Sequence, residues 1–393
     1  MSRPILVLNC GSSSIKYQMI DVDNDVVIAK GTAERVGVAG DGSINHSANG
    51  QEHTITPHLE DHTEALTAIV ELFREYGPDI EAAVAVAHRV VHGGDKFRAS
   101  TMIDDAVMAA IEEMSPLAPL HNPPALQGIR AAKAVLKDVP QAAIFDTAFF
   151  ATIPAEAYTY ALPVALANEL GIRKYGFHGT SHQYVGALVT EILGVPHLRQ
   201  IVCHLGNGSS ISAIDDGVAI ENSLGFTPLP GLVMGTRTGD IDPGVAAYVC
   251  RQKGMTIDEY DNLITKQSGL IGLTGKSDMR DIWAAADADD DAAKLALNIY
   301  AHRLVMYIAG YHALLGGAQA ITFTAGIGEN DNRLRAAVCK RLACFGVKLD
   351  EAANAARSRE PRVVSAPDSA ITVLVVPTNE ELSMARQTAA LLD

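Results

Sequence analysis

The sequence predicts an α/β protein of two domains that share a duplicated unit. Three observations lead to this prediction: a length of 393 residues, a strand–turn–strand pattern that occurs twice, and helical segments that alternate with short apolar strands. A single hydrophobic core rarely supports more than about 250 to 300 residues, so this length favours two cores. We therefore expect two domains with a ligand cleft between them.

The first copy of the pattern lies near the N-terminus. An apolar run at 5–8 precedes a turn of small residues at 9–14, and the runs 15–20 and 26–29 complete a three-stranded meander. The second copy has the same order of apolar runs and turn residues, with runs at 201–205, 211–214 and 218–220 and a turn at 206–210. Two matched copies about 200 residues apart indicate a duplicated α/β unit.

Apolar periodicity predicts the remaining elements. The predicted helices are 61–76, 104–114, 124–136, 181–193, 243–251, 278–286 and 291–315. The predicted strands between them are 83–87, 142–145, 320–323 and 371–376. This alternation is typical of mixed sheets covered by helices.

Charge and composition exclude several classes of function. A net charge of −15 argues against nonspecific binding to nucleic acid or to an anionic membrane, because the long-range field repels both. Any anionic substrate must then meet local cations. The N-terminal sequence has no basic region followed by a long apolar stretch, which predicts a cytoplasmic protein without a signal peptide.

The cysteines indicate neither disulfides nor a zinc site. There are five, scattered along the chain without a CxxC pair. We expect them to be reduced and mostly buried.

The two small-residue turns offer a chemical function. Each presents backbone N–H groups and hydroxyls, and glycine lets an anion approach the backbone closely. One such turn is commonly only a tight turn, but a matched pair facing each other would bind a polyphosphate. Further polar clusters lie after strands or in glycine-rich loops, where ligands bind in open α/β sheets; they occupy 88–94, 145–147, 175–182, 236–240, 278–280 and 326–330.

Together these segments resemble the acetate kinase family over essentially the whole chain. The matching motifs are NCGSSSIK, HRVVHGG, PLAPLHNPP, FDTAFF, KYGFHGTSH, HLGNGSS, GFTPLPGLVMGTRTGDIDP, FTAGIGEN and PTNEEL. The resemblance implies two ribonuclease-H-like domains of the acetate and sugar kinase, heat-shock chaperone and actin superfamily, closing over ATP. We place the domains at 1–147 and 148–382, with the C-terminal helix 383–393 as a candidate to pack back on the first domain.

The resemblance also implies an activity: reversible transfer of the ATP γ-phosphoryl group to acetate, with Mg²⁺, or alternatively Mn²⁺, as the metal. It implies a homodimer. A propionate or other short-chain acyl kinase is the nearest alternative, and a noncatalytic actin-like ATP switch is the alternative from another class. Arg89, Arg237 and His178 argue against the switch, because a switch has no acceptor carboxylate to hold.

The family's functional residues carry over to matching positions. Phosphoryl transfer requires cations and donors around the phosphoryl oxygens more than covalent chemistry. By resemblance, Arg89 and Arg237 line the acetate and transfer site, and His178 and Asn207 hydrogen-bond the transferring group. Asp146 is implied to be catalytic, organising charge near the metal rather than abstracting a proton, because acetate is already ionised near neutral pH.

The remaining assignments concern nucleotide, metal and acyl group. The implied nucleotide residues are Ser12, Lys16, His204, Leu205, Gly206, Asn207, Gly208, Asp278, Met279, Arg280, Gly326, Ile327, Gly328, Glu329 and Asn330. Many family members carry Phe at the position of Met279. The implied metal-associated residues are Asn9 and Glu380, and the implied acyl pocket consists of Val91, Leu120 and Pro228.

Overall fold

The computed structural model describes residues 2–393, which form two compact units. Unit 1 comprises the chain up to Ala151 together with Asn379–Asp393, and unit 2 comprises Thr152–Thr378. The predicted boundaries after residues 147 and 382 lie near these two divisions.

The strands are β1 (Pro4–Gly11), β2 (Ser14–Asp21), β3 (Val26–Glu34), β4 (Ser43–Ala48), β5 (Gln51–Ile55), β6 (Ala85–Val90), β7 (Thr101–Met102), β8 (Gln141–Phe145), β9 (Arg199–Leu205), β10 (Ser209–Asp215), β11 (Val218–Asn222), β12 (Ala320–Thr324), β13 (Arg362–Val363) and β14 (Thr372–Val375).

The helices are α1 (His62–Tyr76), α2 (Asp105–Glu113), α3 (Asn122–Val135), α4 (Ala155–Tyr158), α5 (Val164–Glu169), α6 (Gly179–Leu193), α7 (Gly244–Lys253), α8 (Ile257–Lys266), α9 (Gly269–Thr274), α10 (Met279–Asp287), α11 (Asp291–Leu314), α12 (Ala325–Asn330), α13 (Asn332–Arg341), α14 (Glu351–Ala355) and α15 (Glu380–Leu392). Short 3-10 helices lie at Ile80–Ala82, Ser115–Leu117, Ala148–Thr152 and Ala343–Phe345.

Unit 1 is built on one mixed sheet with the strand order β5-β4-β3-β2-β1-β6-β8-β7. Strands β1, β2 and β3 form an antiparallel meander, and β6 and β8 continue from β1 in parallel. Helices α3 and α15 both pack on β1 and β6. The carboxyl ends of β1, β6 and β8 therefore meet at one edge of the sheet, and α15 begins beside it.

Unit 2 repeats this arrangement. Its sheet has the order β11-β10-β9-β12-β14-β13, with an antiparallel meander of β9, β10 and β11 and with β12 and β14 parallel to β9. Strands β9, β10, β11, β12 and β14 thus correspond to β1, β2, β3, β6 and β8. The predicted α/β fold with an internal duplication is confirmed.

Burial explains why each unit holds together. In unit 2 the long helix α11 contributes Leu304 and Ile308 to a core that also contains Ile201 and Phe323 from the sheet. In unit 1, α1 packs Phe73 beside Tyr17 of β2. A fully buried Leu, Ile or Phe side chain stabilises a fold by roughly 1.5–3 kcal/mol.

The predicted helices and strands named above are present, with end positions that differ by a few residues. The predictions omitted the hairpin β4–β5, several helices of unit 2 and the short strands β7 and β13. Of the cysteines, Cys10, Cys203 and Cys339 are buried, whereas Cys250 is half-buried and Cys344 is exposed, and all five are free thiols. Within residues 2–393, every helix is too short or too polar to span a lipid bilayer.

Candidate active site

The first turn of unit 1 places two predicted residues on one face of the sheet. Asn9 of β1 lies directly opposite Lys16 of β2 in the antiparallel register, so their side chains point to the same face. Ser12 lies in the exposed turn between these strands. Among residues 2–393, Lys16 forms no ion pair, so its ammonium group is available to an anion.

A buried ion pair lies at the carboxyl ends of β6 and β8. Arg89 donates from Nε to Asp146 Oδ1 at 3.0 Å and from Nη2 to Asp146 Oδ2 at 2.7 Å. The Asp146 side chain is 1% exposed and the Arg89 side chain 24% exposed. The Asp146 carboxylate raises the pKa of Arg89, against an opposing effect of burial. The pair therefore fixes the guanidinium in one orientation while leaving part of it accessible.

Glu380 begins α15 beside this pair. Burial raises the pKa of its carboxyl to about 7; Arg89 opposes the shift, and Asp146 and Glu381 add to it. A cavity of about 500 Å³ brings together Asn9, Lys16, Arg89, Glu380 and Glu381. Burial in the cavity wall therefore disfavours the charged form of Glu380, and the neighbouring carboxylates add to this effect.

The second turn, in unit 2, has the tight geometry expected of a phosphate loop. Gly206 N–H donates to Gly208 O at 3.0 Å, and Gly235 N–H donates to Asn207 O at 3.0 Å. A Cβ on Gly235 would lie 2.0 Å from Asn207 Oδ1, so a larger residue here would displace the Asn207 side chain. A Cβ on Gly208 would lie 3.4 Å from His178 Nε2 and 3.5 Å from Arg237 Nη1. His178 and Arg237 therefore flank the turn.

His178 has a strained backbone and an ordered ring. Its φ of 62° is left-handed, a conformation that costs a non-glycine residue roughly 1–2 kcal/mol. It directly precedes α6. Strain of this kind is kept where the surrounding structure specifies it, commonly at functional sites.

A chain of hydrogen bonds orients that ring. His178 Nδ1 lies 2.9 Å from Ser210 Oγ, which lies 2.7 Å from His182 Nε2, and His182 Nδ1 lies 2.7 Å from Ser212 Oγ. Burial, with His204 as a second cause, holds the pKa of His182 well below its usual value. His182 is therefore neutral and fixes the Ser210 hydroxyl, which in turn holds His178 Nδ1. This leaves His178 Nε2 directed towards Gly208.

Arg237 differs from Arg89 in its partners. Its Nη1 donates to Pro228 O at 3.0 Å and lies 3.8 Å from Met234 Sδ. Burial lowers the pKa of its guanidinium, and among residues 2–393 it has no carboxylate partner. A largely desolvated cation with only neutral acceptors favours an anionic ligand.

A second cavity, of about 730 Å³, lies wholly within unit 2. Its wall includes predicted nucleotide residues, namely Gly206, Asn207, Asp278, Met279, Arg280, Gly326, Ile327 and Asn330. Asp278 caps α10 by accepting from Arg280 N–H and pairs with the Arg280 side chain at 2.6 Å. The side-chain hydrogen bond from Arg280 is the main cause that lowers the pKa of Asp278 to about 2.

Some predicted residues do not line either cavity. His204 and Leu205 are buried in β9, with the His204 ring stacked 4.4 Å from that of His178. Gly328 and Glu329 belong to the 326–330 segment but not to the cavity wall, and Glu329 Oε1 accepts from Thr378 N–H. For the predicted acyl pocket, Leu120 is exposed and Val91 is half-buried in unit 1, whereas Pro228 lies in unit 2. Their roles remain predictions.

Sequence reasoning missed several residues of the unit 2 cavity. These are Trp283, Asp331, Asn332, Arg333 and Arg357. It also missed Arg335, which is buried and donates to the carbonyls of Gly328 and Glu329. Trp283 could have been found, because it lies four residues after Met279 on one helix face. Arg335 carried no such signal, since its acceptors are the loop carbonyls and Asn354, 19 residues further along the chain.

Comparison with known proteins identifies relatives over nearly the whole chain. A sequence model described as the Acetokinase family matches residues 4–386. A protein named acetate kinase from Leifsonia xyli subsp. xyli is 53% identical over 387 residues, which is 98% of this chain and 97% of that protein. A protein of the same name from Clostridium novyi is 46% identical over 396 residues, covering 99% and 98%.

Solved structures give the same result. The acetate kinase of Porphyromonas gingivalis superposes with a TM-score of 0.95 at 41% identity and covers 100% of both chains. A propionate kinase from Francisella tularensis subsp. tularensis superposes with a TM-score of 0.92 at 39% identity and covers 98% of both chains.

Proposed function

The chain belongs to the acetokinase family, and we propose on that basis that it transfers the γ-phosphoryl group of ATP reversibly to acetate, giving acetyl phosphate and ADP. Family members of this kind are kinases, so the reaction class is phosphotransfer to a carboxylate. The acceptor needs no general base because acetate is ionised near neutral pH. The protein's task is to hold two anions in line and to stabilise the charge of the transferring group.

Arg237 is the observation that carries the proposal. It is a largely desolvated guanidinium whose hydrogen-bonding partners are neutral, and it flanks the glycine turn of unit 2 beside His178. We assign it to the oxygens of the transferring phosphoryl group and of acetate. Because no carboxylate among residues 2–393 pairs with its charge, an arriving anion gains a charge-assisted hydrogen bond without displacing a carboxylate.

His178 and Asn207 act on the same phosphoryl group. The hydrogen-bond chain through Ser210 holds the His178 ring so that Nε2 is presented at the turn. Donors fixed before the reaction stabilise developing charge without reorganising during it. The strained backbone of His178 is the cost of that orientation.

Arg89 and Asp146 contribute from unit 1. Two N–H groups of Arg89 are held by Asp146, and the exposed part of the guanidinium binds the acetate carboxylate. Asp146 thus acts as the residue that orients Arg89 and adds negative charge near the metal. In unit 2, the cavity bordered by Met279 and the loop 326–330 takes the adenosine part of ATP.

The residues present fit a hydrated Mg²⁺ or Mn²⁺ ion. Asn9 and Glu380 line one cavity, where they offer an amide oxygen and a carboxylate, the kind of oxygen ligands that these ions bind. Residues 2–393 contain no cluster of three or more His, Cys, Asp or Glu side chains suited to an all-protein metal site. Mg²⁺ commonly keeps several waters and binds phosphate oxygens, so two protein groups suffice. When bound, the ion neutralises phosphate charge.

The experiment that tests the function measures ADP formation with acetate, propionate and butyrate as acceptors. We expect the highest kcat/KM with acetate. The propionate kinase among the structural relatives makes propionate the second candidate, and a higher kcat/KM with propionate would select it. ATP binding without any ADP formation that an acid stimulates would instead indicate an actin-like ATP switch.

Family membership also supports a cytoplasmic homodimer. Sedimentation equilibrium of the purified protein tests the oligomeric state directly. A single species with the mass of two chains is expected, whereas a monomer at all concentrations used in the assay would contradict it.

A further inference from the structure

The chain's only tryptophan bridges two walls of the unit 2 cavity. Trp283 lies on α10, and its Nε1–H donates to Asp331 Oδ2 at 2.7 Å. Arg333 stacks on the indole with Cζ 3.8 Å from the ring centroid. Arg333 also pairs with both carboxylate oxygens of Asp287, at 2.8 and 2.7 Å. The roles proposed above use none of these four side chains.

The bridged elements carry residues on opposite sides of the proposed nucleotide site. Helix α10 begins with Met279 and Arg280, and the chain from Gly326 to Arg333 supplies the other wall. Helices α10 and α13 each pack on α11, while the side chains of Trp283 and Arg333 connect them to each other. The width of the cavity between Met279 and the 326–330 loop therefore depends on these side-chain contacts.

We propose that Trp283, through its hydrogen bond to Asp331, is a positioning residue that sets the spacing of the two walls and thereby the affinity for adenine nucleotides. This inference rests on the proposed function, which assigns the cavity to ATP and ADP. It deepens that function by naming a determinant of nucleotide affinity distinct from the groups that bind acetate and the transferring phosphoryl group.

The hydrogen bond is the decisive contact of the bridge. The Arg333–Asp287 pair is exposed, and exposed pairs stabilise little because water and salt screen them. The Trp283 bond is partly buried and ends on a carboxylate, which makes it a charge-assisted bond. Asp331 uses its other oxygen, Oδ1, to cap α13 by accepting from Leu334 N–H at 2.8 Å. Its two oxygens thus have separable roles.

Two variants remove the bond from opposite ends. Trp283→Phe keeps an aromatic face for Arg333 but has no N–H donor. Asp331→Asn keeps an oxygen for the cap of α13 and replaces the acceptor of the indole N–H with an amide donor. Each should raise the KM for ATP and the Kd for MgADP by about tenfold, because nucleotide binding must then order walls that the bond no longer holds, and a hydrogen bond to a charged group is worth roughly this factor. The KM for acetate and kcat should stay within twofold.

The double variant tests whether the two residues act through one contact. Since both changes remove the same bond, its KM for ATP should be close to that of either single variant instead of about a hundredfold above wild type. Lys348→Gln is the matched control: it breaks an exposed ion pair with Asp368 away from the cavity and should leave every parameter unchanged.

Fluorescence of the wild type gives an independent measurement. Because the indole lines the cavity, MgADP should change its emission with the same Kd that calorimetry gives. The proposal is wrong if folded Trp283→Phe and Asp331→Asn melt at lower temperature but keep the wild-type Kd for MgADP, since the bridge would then serve packing alone. Calorimetric affinity does not depend on turnover, so a failure of the proposed acetate chemistry would be seen separately, in the acceptor assay.

Discussion

Asp146→Asn keeps Arg89 in the protein but removes the carboxylate that orients it, so this variant tests whether the orientation of Arg89 matters for catalysis. The substitution keeps nearly the same volume and one oxygen acceptor but removes the negative charge that faces the guanidinium. Arg89 then loses one of two charge-assisted hydrogen bonds, at 2.7 or 3.0 Å, and gains an amide donor as a neighbour. We expect ATP binding to persist and kcat/KM for acetate to fall by about 10²-fold.

The magnitude follows from the loss of a preorganised cation. Removing one partner of a buried ion pair costs stability, because the remaining charge is left desolvated and unpaired, and the 24% exposed Arg89 side chain can then turn towards water. A guanidinium turned away from the site no longer stabilises the transition state. Losing one preorganised donor costs roughly 10²–10³-fold in turnover, and the lower end of this range gives the expected 10²-fold loss.

The assay combines steady-state kinetics over both substrates, calorimetric titration with MgADP and thermal unfolding. Asp21→Asn is the control: Asp21 is also a buried carboxylate of unit 1, hydrogen-bonded to Ser2 and Asn24. It should lower the melting temperature without changing kcat. Wild-type turnover in a folded Asp146→Asn variant at saturating Mg²⁺ would refute the reasoning and return Asp146 to a purely structural role.

Four further substitutions test other parts of the site. Arg237→Ala should lower kcat/KM for acetate by about 10²-fold or more, as expected when a clamp on transition-state charge is lost. Ser210→Ala removes the hydroxyl between His178 and His182 and should lower kcat by about tenfold with the KM for ATP within twofold, because an unsatisfied buried partner costs about 1–3 kcal/mol. Val91→Ala should raise the propionate-to-acetate ratio of kcat/KM by roughly tenfold, since one methylene is worth about 1–3 kcal/mol in a small pocket. His88→Gln should make folding stability less sensitive to acid. Burial lowers the pKa of His88 to about 4, so between about pH 6.5 and 4 the unfolded state binds a proton that the folded state does not. When the pH falls from 7 to 5, the free energy of unfolding of the variant should therefore decrease by about 2 kcal/mol less than that of the wild type.

Two of these substitutions have a control variant, and each of the four has its own contrary outcome. Arg341→Ala removes an exposed arginine of α13 and should not affect turnover; if Arg237→Ala behaves the same way, the clamp is misassigned. Ser212→Ala touches only the far nitrogen of the His182 ring, and an effect equal to that of Ser210→Ala would count against specific orientation of His178. If Val91→Ala is stably folded and its propionate-to-acetate ratio of kcat/KM is unchanged, Val91 does not line the acyl pocket. For His88→Gln, denaturant unfolding at pH 7 and pH 5 gives the measurement. If the free energy of unfolding decreases by the same amount in the variant and in the wild type, other groups cause the acid sensitivity.

The duplicated meanders were predictable because their signals are local. Both copies join a short apolar strand to a glycine- and serine-rich turn and a second strand, and these cues do not depend on distant residues. The hairpin β4–β5 was missed although it had a signal. Its turn is Asn49-Gly50, with φ values of 53° and 75°, the pair favoured in two-residue hairpins. The buried face of β4 carries His46 between Ile44 and Ala48, and this polar residue masked the alternation of apolar and polar positions.

The partners of the site residues were not predictable in the same way. The resemblance named Arg89 and Asp146 as candidates, but their bidentate pairing joins residues 57 apart in sequence and depends on β6 and β8 being parallel neighbours. The chain from His178 through Ser210 to Ser212 likewise requires α6 to lie against β10. Sequence motifs indicate which side chains are available, whereas hydrogen-bond partners follow from strand order and register.

The two arginines that the resemblance treats alike therefore have different electrostatic roles. A guanidinium has five N–H donors; Arg89 directs donors at Asp146 from Nε and Nη2, and the pair as a whole is close to neutral. Its remaining donors can orient a carboxylate but supply little net attraction. Arg237 keeps its full positive charge among neutral acceptors. In a chain of net charge −15, which repels anions at long range, the local attraction for a phosphoryl group must come from such an unpaired cation. Arg237→Ala should therefore make kcat/KM for acetate less sensitive to salt, whereas Asp146→Asn, which leaves Arg89 charged and without its counter-ion, should make it more sensitive.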